Sequence, residues 1–259
     1  FVEFAVNDGK DATSRDVYES LVGKLLNSET SPAVVMIFTV LSNGYTAQDN
    51  MQATGEHYDL GMISVREAIT PEIDAGRMTF IGEYAVDEAH PSNFGHALIS
   101  DFIGYYLDRA EATESSPYTV PEDVQFTASF ENLENITEGS EYIVSNGDFE
   151  YGLANCFTYN KGWKRSGGAE NAPMVMELEF SKLTIAYKQV NSKTNGAADV
   201  YIDGEKVKSL KGYSENGWGN VVTEIVYPLQ EAESHRVEIK MAEGDEDKEI
   251  TVLGIGYVR

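Results

Sequence analysis

Two fold classes are predicted within one chain: a parallel α/β sheet over residues 1–112 and an all-β sandwich, of the jelly-roll kind, over residues 123–259. Three observations predict this division. Up to about Leu107, short apolar runs alternate with segments of helical periodicity. The Ser/Pro/acid stretch TESSPYTVPED then breaks the pattern and reads as a linker, placed at 113–122. Beyond it come short β-rich runs between turn residues, with no long amphipathic helix after residue 125.

The elements of the first half follow in order. FVEFAV is a short apolar run ended by the turn residues Asn7, Asp8 and Gly9. DATSRDVYESLVGKLL sets Val17, Leu21 and Leu25 on one face at helical spacing. AVVMIFTVL is apolar at all positions but one, as a strand covered on both faces requires. A polar helix is expected from Thr46, then the strand GMISV, then a helix from about Arg66 to Asp74. After VDEAHPSNFGH, the residues Phe94, Leu98, Phe102, Ile103 and Tyr106 line one helical face. In the second half, MVMELEFSKLTIAYKQV and EITVLGIGYV read as strands, and VYIDGEKV as a hairpin turning on Asp203-Gly204.

Composition narrows the function. With 43 acidic and 19 basic residues the net charge is −24, a field that repels phosphate backbones and anionic membrane surfaces. A neutral partner such as a sugar fits better, and nucleic acid is disfavoured. No run of about 18 apolar residues is present, so no membrane span is expected. Hydrophobic residues make up 42%, enough for real cores. The single cysteine, Cys156, excludes an internal disulfide.

The chemistry concentrates in VDEAHPSNFGH. Pro91 keeps His90 out of the helical region, on an extended loop ahead of the helix. At Asp-x-x-His spacing, Asp87 can fold back to accept from the imidazole Nδ1–H, leaving Nε2 bare and basic. The same spacing also suits a carboxylate that stabilises a turn beside an exposed loop histidine. His96, inside the helix, reads as a residue that packs or bonds to a neighbouring backbone group. In a parallel α/β sheet functional groups gather at the carboxyl ends of strands. FVEFAVND delivers Asn7 there, where its amide could donate to an oxyanion, although Asn-Asp-Gly is also a turn signal.

Taken together and in order, FAVND, YDLGMISVREAI and DEAHPSNFGH resemble the SGNH (GDSL-type) hydrolases, over residues 1 to about 110. The resemblance implies a flavodoxin-like three-layer parallel sheet. It also implies a serine esterase in which His90 is the base, Asp87 its orienting acid and Asn7 an oxyanion donor, with no cofactor and no metal. Two departures stand out. The family glycine two residues before the asparagine is Ala5 here, and no Gly-Asp-Ser occurs in the chain. The nucleophilic serine, the oxyanion glycine and the N-terminal strands of the sheet are therefore expected upstream of Phe1 or on a separate chain.

The β-rich half, through DVYIDGEKVKSLKGYSENGWGN, HRVEIKMAEG and LGIGY, resembles the jelly-roll modules attached to bacterial carbohydrate esterases. That likeness implies deacetylation of a carbohydrate ester, with Trp163, Trp218 and Tyr213 as candidates to stack on sugar rings. Sandwich-core packing is the competing role for each. The rival reading is a non-catalytic carbohydrate-binding protein with a degenerate hydrolase half.

Overall fold

The computed structural model describes residues 1–168, 170–228 and 231–259. The chain divides into two compact units, Phe1–Glu131 and Asn132–Arg259.

The first unit contains β1 (Val2–Glu3), α1 (Ala12–Leu26), β2 (Val35–Phe38), α2 (Gln48–His57), β3 (Gly61–Ser64), α3 (Val65–Asp74) and α4 (Asn93–Glu111). Its sheet is parallel, in the order β1-β2-β3, with Val2 opposite Met36 and Val35 opposite Gly61. Strand alternation splits the apolar side chains of β2 between two clusters. Met36 and Phe38 pack with Tyr18, Val22 and Leu26 of α1 and Met51 of α2. Val35 and Ile37 pack with Val65 and Ile69 of α3 and, in α4, with Leu98, Ile99, Phe102, Ile103 and Tyr106.

The flavodoxin-like three-layer parallel sheet is not what the chain builds. Its parallel sheet has only three short strands, while the remaining strands form antiparallel sheets and only four helices occur among the described residues. One reason is local: the N–H groups of Asn7 and Asp8 both donate to Phe4 O at 3.0 Å, which turns the chain and ends β1 at Glu3. The deep face of α1 also differs from expectation. Tyr18, Val22 and Leu26 are buried, whereas Val17 faces outward.

The polar stretch expected as a linker runs along the first unit. Tyr118 donates its hydroxyl to Tyr58 O at 2.8 Å, and Val120 packs against the α1 cluster. Glu19, 1% exposed, accepts from the backbone N–H groups of Gln125, Phe126 and Thr127 at 2.6–2.7 Å and from the Tyr58 hydroxyl at 3.2 Å. Three aligned N–H donors and a phenol satisfy a carboxylate that burial would otherwise strand.

The second unit runs β4 (Glu134–Ile136), β5 (Ile143–Ser145), β6 (Phe149–Leu153), β7 (Lys161–Arg165), β8 (Met174–Phe180), β9 (Lys182–Val190), β10 (Ala197–Ile202), β11 (Glu205–Lys211), β12 (Trp218–Tyr227), β13 (Glu233–Met241) and β14 (Ile250–Val258). One antiparallel sheet has the order β11-β10-β13-β8-β5, and the other β12-β9-β14-β7-β6 with β4 on β14. Alternate residues of both sheets, among them Met176, Phe180, Ile185, Val200, Ile239 and Ile255, form one shared core, so the two sheets make a sandwich. The β10–β11 turn has positive φ at both Asp203 (51°) and Gly204 (87°), the backbone a tight two-residue hairpin demands.

Candidate active site

The site is built on the loop between α3 and α4. Buried Tyr84 and Ala85 anchor it: the N–H of Ala85 donates to Phe80 O at 2.7 Å and that of Ser92 to Tyr84 O at 2.8 Å. Ser92 caps α4, its hydroxyl accepting from Gly95 N–H at 3.1 Å while donating to Glu83 O. Gly95 is required at that turn. A Cβ there would lie 2.1 Å from the backbone oxygen of Tyr84.

Between these anchors the chain folds back, with Val86 N–H donating to His90 O at 2.9 Å. Asp87 fills the inside of this turn. Its Oδ1 accepts from the N–H groups of Ala89 (2.8 Å) and His90 (2.7 Å), and its Oδ2 accepts from His90 Nδ1 at 2.8 Å. The backbone bonds from His90 and Ala89, then the imidazole, hold the Asp87 carboxyl down at about 2. An ionised carboxylate can only accept, so Nδ1 carries the ring proton and Nε2 presents a lone pair. The imidazole is open to solvent at 79% exposure, and none of the described residues hydrogen-bonds Nε2. The dyad can thus take a proton from a group brought to Nε2. Next to it, Val86, Pro91, Phe94 and His96 line an open, mainly apolar depression.

Asn7 lies exposed in the turn after β1. Hydrogen bonds gather the loops that follow the strands: Ala47 N–H donates to Ala5 O (2.6 Å), the Tyr45 hydroxyl to Asp8 O (2.6 Å), and Ser42 N–H to Glu88 O (2.9 Å). The loop after β2 thereby joins the Asn7 turn to the Asp87–His90 turn. No hydrogen bond links Asn7 to His90 among the described residues. Ala5 is fully buried.

Sequence reasoning missed a set of interacting acidic and phenolic groups around β1. Glu3 accepts from the Thr39 hydroxyl at 2.6 Å and from Ala5 N–H at 3.2 Å. Asp8 is half-buried, and its carboxyl is pushed up by burial and then by the Glu3 charge. The buried Tyr84 hydroxyl is pushed up to about 12, first by burial and then by Glu3.

The aromatic candidates separate. Trp163 is 2% exposed and packs against Tyr151 in the sandwich core, so it offers no face to a sugar. Trp218 is 78% exposed at the start of β12. Tyr213 is half-buried in a bridge to Val190.

No protein-family model matches the chain, and no curated protein matches it. Among solved structures it resembles a two-domain esterase active on acetylated mannans, co-crystallised with mannopentaose, at 24% identity and a TM-score of 0.85 over 99% of this chain and 71% of that one. A second structure of such a two-domain esterase gives the same identity and TM-score over 98% and 71%. A family two carbohydrate esterase from Cellvibrio japonicus aligns at 18% identity, with a TM-score of 0.35 over 48% of this chain and 33% of that one. At 24% identity the likeness establishes a shared fold, extending over nearly the whole chain.

Proposed function

We propose that the chain carries the acid–base half of a serine esterase of the SGNH type, acting on an acetylated carbohydrate. The observation that carries this reading is the Asp87–His90 dyad: an imidazole with Nδ1 held by an ionised carboxylate and Nε2 free at the surface. Such an arrangement serves general-base catalysis better than it serves stability, because an exposed pair contributes little to folding.

In this reaction Nε2 of His90 takes the proton of a serine hydroxyl as its oxygen attacks the ester carbonyl. Asp87 stabilises the imidazolium that forms. The Asn7 amide donates to the developing oxyanion from the turn after β1. Nε2–H then gives its proton to the departing sugar oxygen, leaving an acyl-serine. Water, deprotonated by Nε2, releases acetate and restores the enzyme. The serine comes from outside these 259 residues, since the chain has no Gly-Asp-Ser. A neutral sugar ester as substrate is supported by the charge of −24 and by the fold shared with an esterase active on acetylated mannans.

Labelling of the full-length protein with a fluorophosphonate, together with hydrolysis of an acetyl ester, tests the reading. The wild type should label and turn over, and His90→Ala should lose turnover by orders of magnitude at unchanged thermal stability. An unlabelled, inactive protein that still binds glycans would favour the non-catalytic alternative.

A further inference from the structure

Two large aromatic side chains of the second unit stand outside its core: Phe157, 96% exposed, and Trp218, 78% exposed. Neither contributes to the sandwich, and each leaves a wide apolar surface in water. The backbone sets both out. Residues 154–160, between β6 and β7, lie across the face of the β12-β9-β14 strands opposite the sandwich core. There Ala154, Cys156 and Tyr159 pack with Ala186, Val221 and Leu253. The Lys188 ammonium donates to Ala154 O (3.2 Å) and Asn155 O (2.7 Å), fixing this loop. With Cys156 turned inward, Phe157 projects outward.

Trp218 is aimed by a bulge. The register of β12 on β9 shifts between Trp218 and Asn220, Gly219 takes φ 95°, and Asn220 Oδ1 accepts from Trp218 N–H at 3.2 Å. Bulges of this kind redirect a side chain. The two features meet: Cys156 Sγ donates to Gly219 O at 3.7 Å, a contact between the immediate neighbours of Phe157 and Trp218. Asn155, Thr158, Asn160 and Asn216 are exposed beside them and supply neutral hydrogen-bonding groups. Flat aromatic faces suit the apolar C–H surface of a pyranose, and neutral amides and hydroxyls suit its hydroxyl groups. A polyanion would be repelled by the charge of −24.

We propose that Phe157 and Trp218 form a stacking platform on the second unit for the rings of a neutral polysaccharide. This deepens the carbohydrate part of the proposed function and is independent of its catalytic part. Binding at the platform and fluorophosphonate labelling fail separately.

The test is titration of the protein with mannopentaose, cellopentaose and xylopentaose, by calorimetry and intrinsic fluorescence. Trp163 is sealed in the core, so an emission change reports Trp218. At least one pentasaccharide should bind and shift the emission. Phe157→Ala and Trp218→Ala should each weaken binding by about tenfold or more, and Trp218→Phe by less. Thermal unfolding should be unchanged in all three. Absence of binding by every probe, or binding equal in the double alanine variant, would overturn the proposal. So would a sedimentation change caused by the variants without loss of sugar binding, because the patch would then join copies of the chain.

Discussion

Asp87 gives both of its carboxylate oxygens to His90: Oδ2 accepts from the ring Nδ1 at 2.8 Å and Oδ1 from the backbone N–H at 2.7 Å. One side chain therefore sets the ring's tautomer, its orientation and the turn that carries it. Asp87→Asn keeps the size and one acceptor, but its amide nitrogen cannot accept from Nδ1–H. Under the proposed mechanism kcat for an acetyl ester should fall by about 10⁴, as in Ser-His-Asp triads, with the circular dichroism unchanged. A loss below tenfold would remove Asp87 from the reaction.

The same bonds make a pH prediction. A carboxyl held at about 2 against an unfolded value near 3.9 favours the folded turn above the unfolded value, and that contribution is lost as pH falls through about 2. Carbon-13 NMR of the Asp87 carboxyl should titrate near 2, so activity lost between pH 4 and 8 does not come from protonation of Asp87. A midpoint near 4 would mean that the turn is not formed in solution.

Gly95 and Gly104 lie in the same helix and should respond oppositely to alanine. At Gly95 the new methyl would meet Tyr84 O at 2.1 Å, while at Gly104 no atom lies within 4 Å. Gly95→Ala should destabilise by about 1–3 kcal/mol, whereas Gly104→Ala should stabilise by about 0.5–1 kcal/mol through helix propensity. Thermal unfolding of the two variants checks both signs.

Glu19 holds three backbone N–H groups of residues 125–127 from within α1. Glu19→Ala leaves these partly buried donors without their acceptor and should cost about 1–3 kcal/mol. Hydrogen exchange at Gln125, Phe126 and Thr127 should accelerate in the variant. Unchanged protection there would show that the segment is held by other contacts.

The motif Asp-x-x-His-Pro-x-x-x-Gly-His was legible because its interactions are local. Asp87, His90, Ser92 and Gly95 meet partners within a dozen residues, so their spacing already encodes the turn, the cap and the close approach to Tyr84. The Asp203-Gly204 hairpin was legible for the same reason. The tie between α1 and residues 125–127 was not legible, because the carboxylate that Gln125, Phe126 and Thr127 share sits 106 to 108 residues away, at Glu19. The α1 face was legible in part: Leu21 and Leu25 pack against its cluster, but Val17 faces outward and the deepest positions are the adjacent Tyr18, Val22 and Leu26.

By itself, then, the sequence determined the local chemistry: where a histidine is held by an aspartate, where helices start, and where hairpins turn. Tertiary structure alone decided the fold class, limiting the parallel sheet to three short strands and giving the other strands to antiparallel sheets. It alone decided that Trp163 is core and Trp218 surface. The physical reason is that burial and strand partnership depend on residues far apart in the chain, whose register no short stretch specifies.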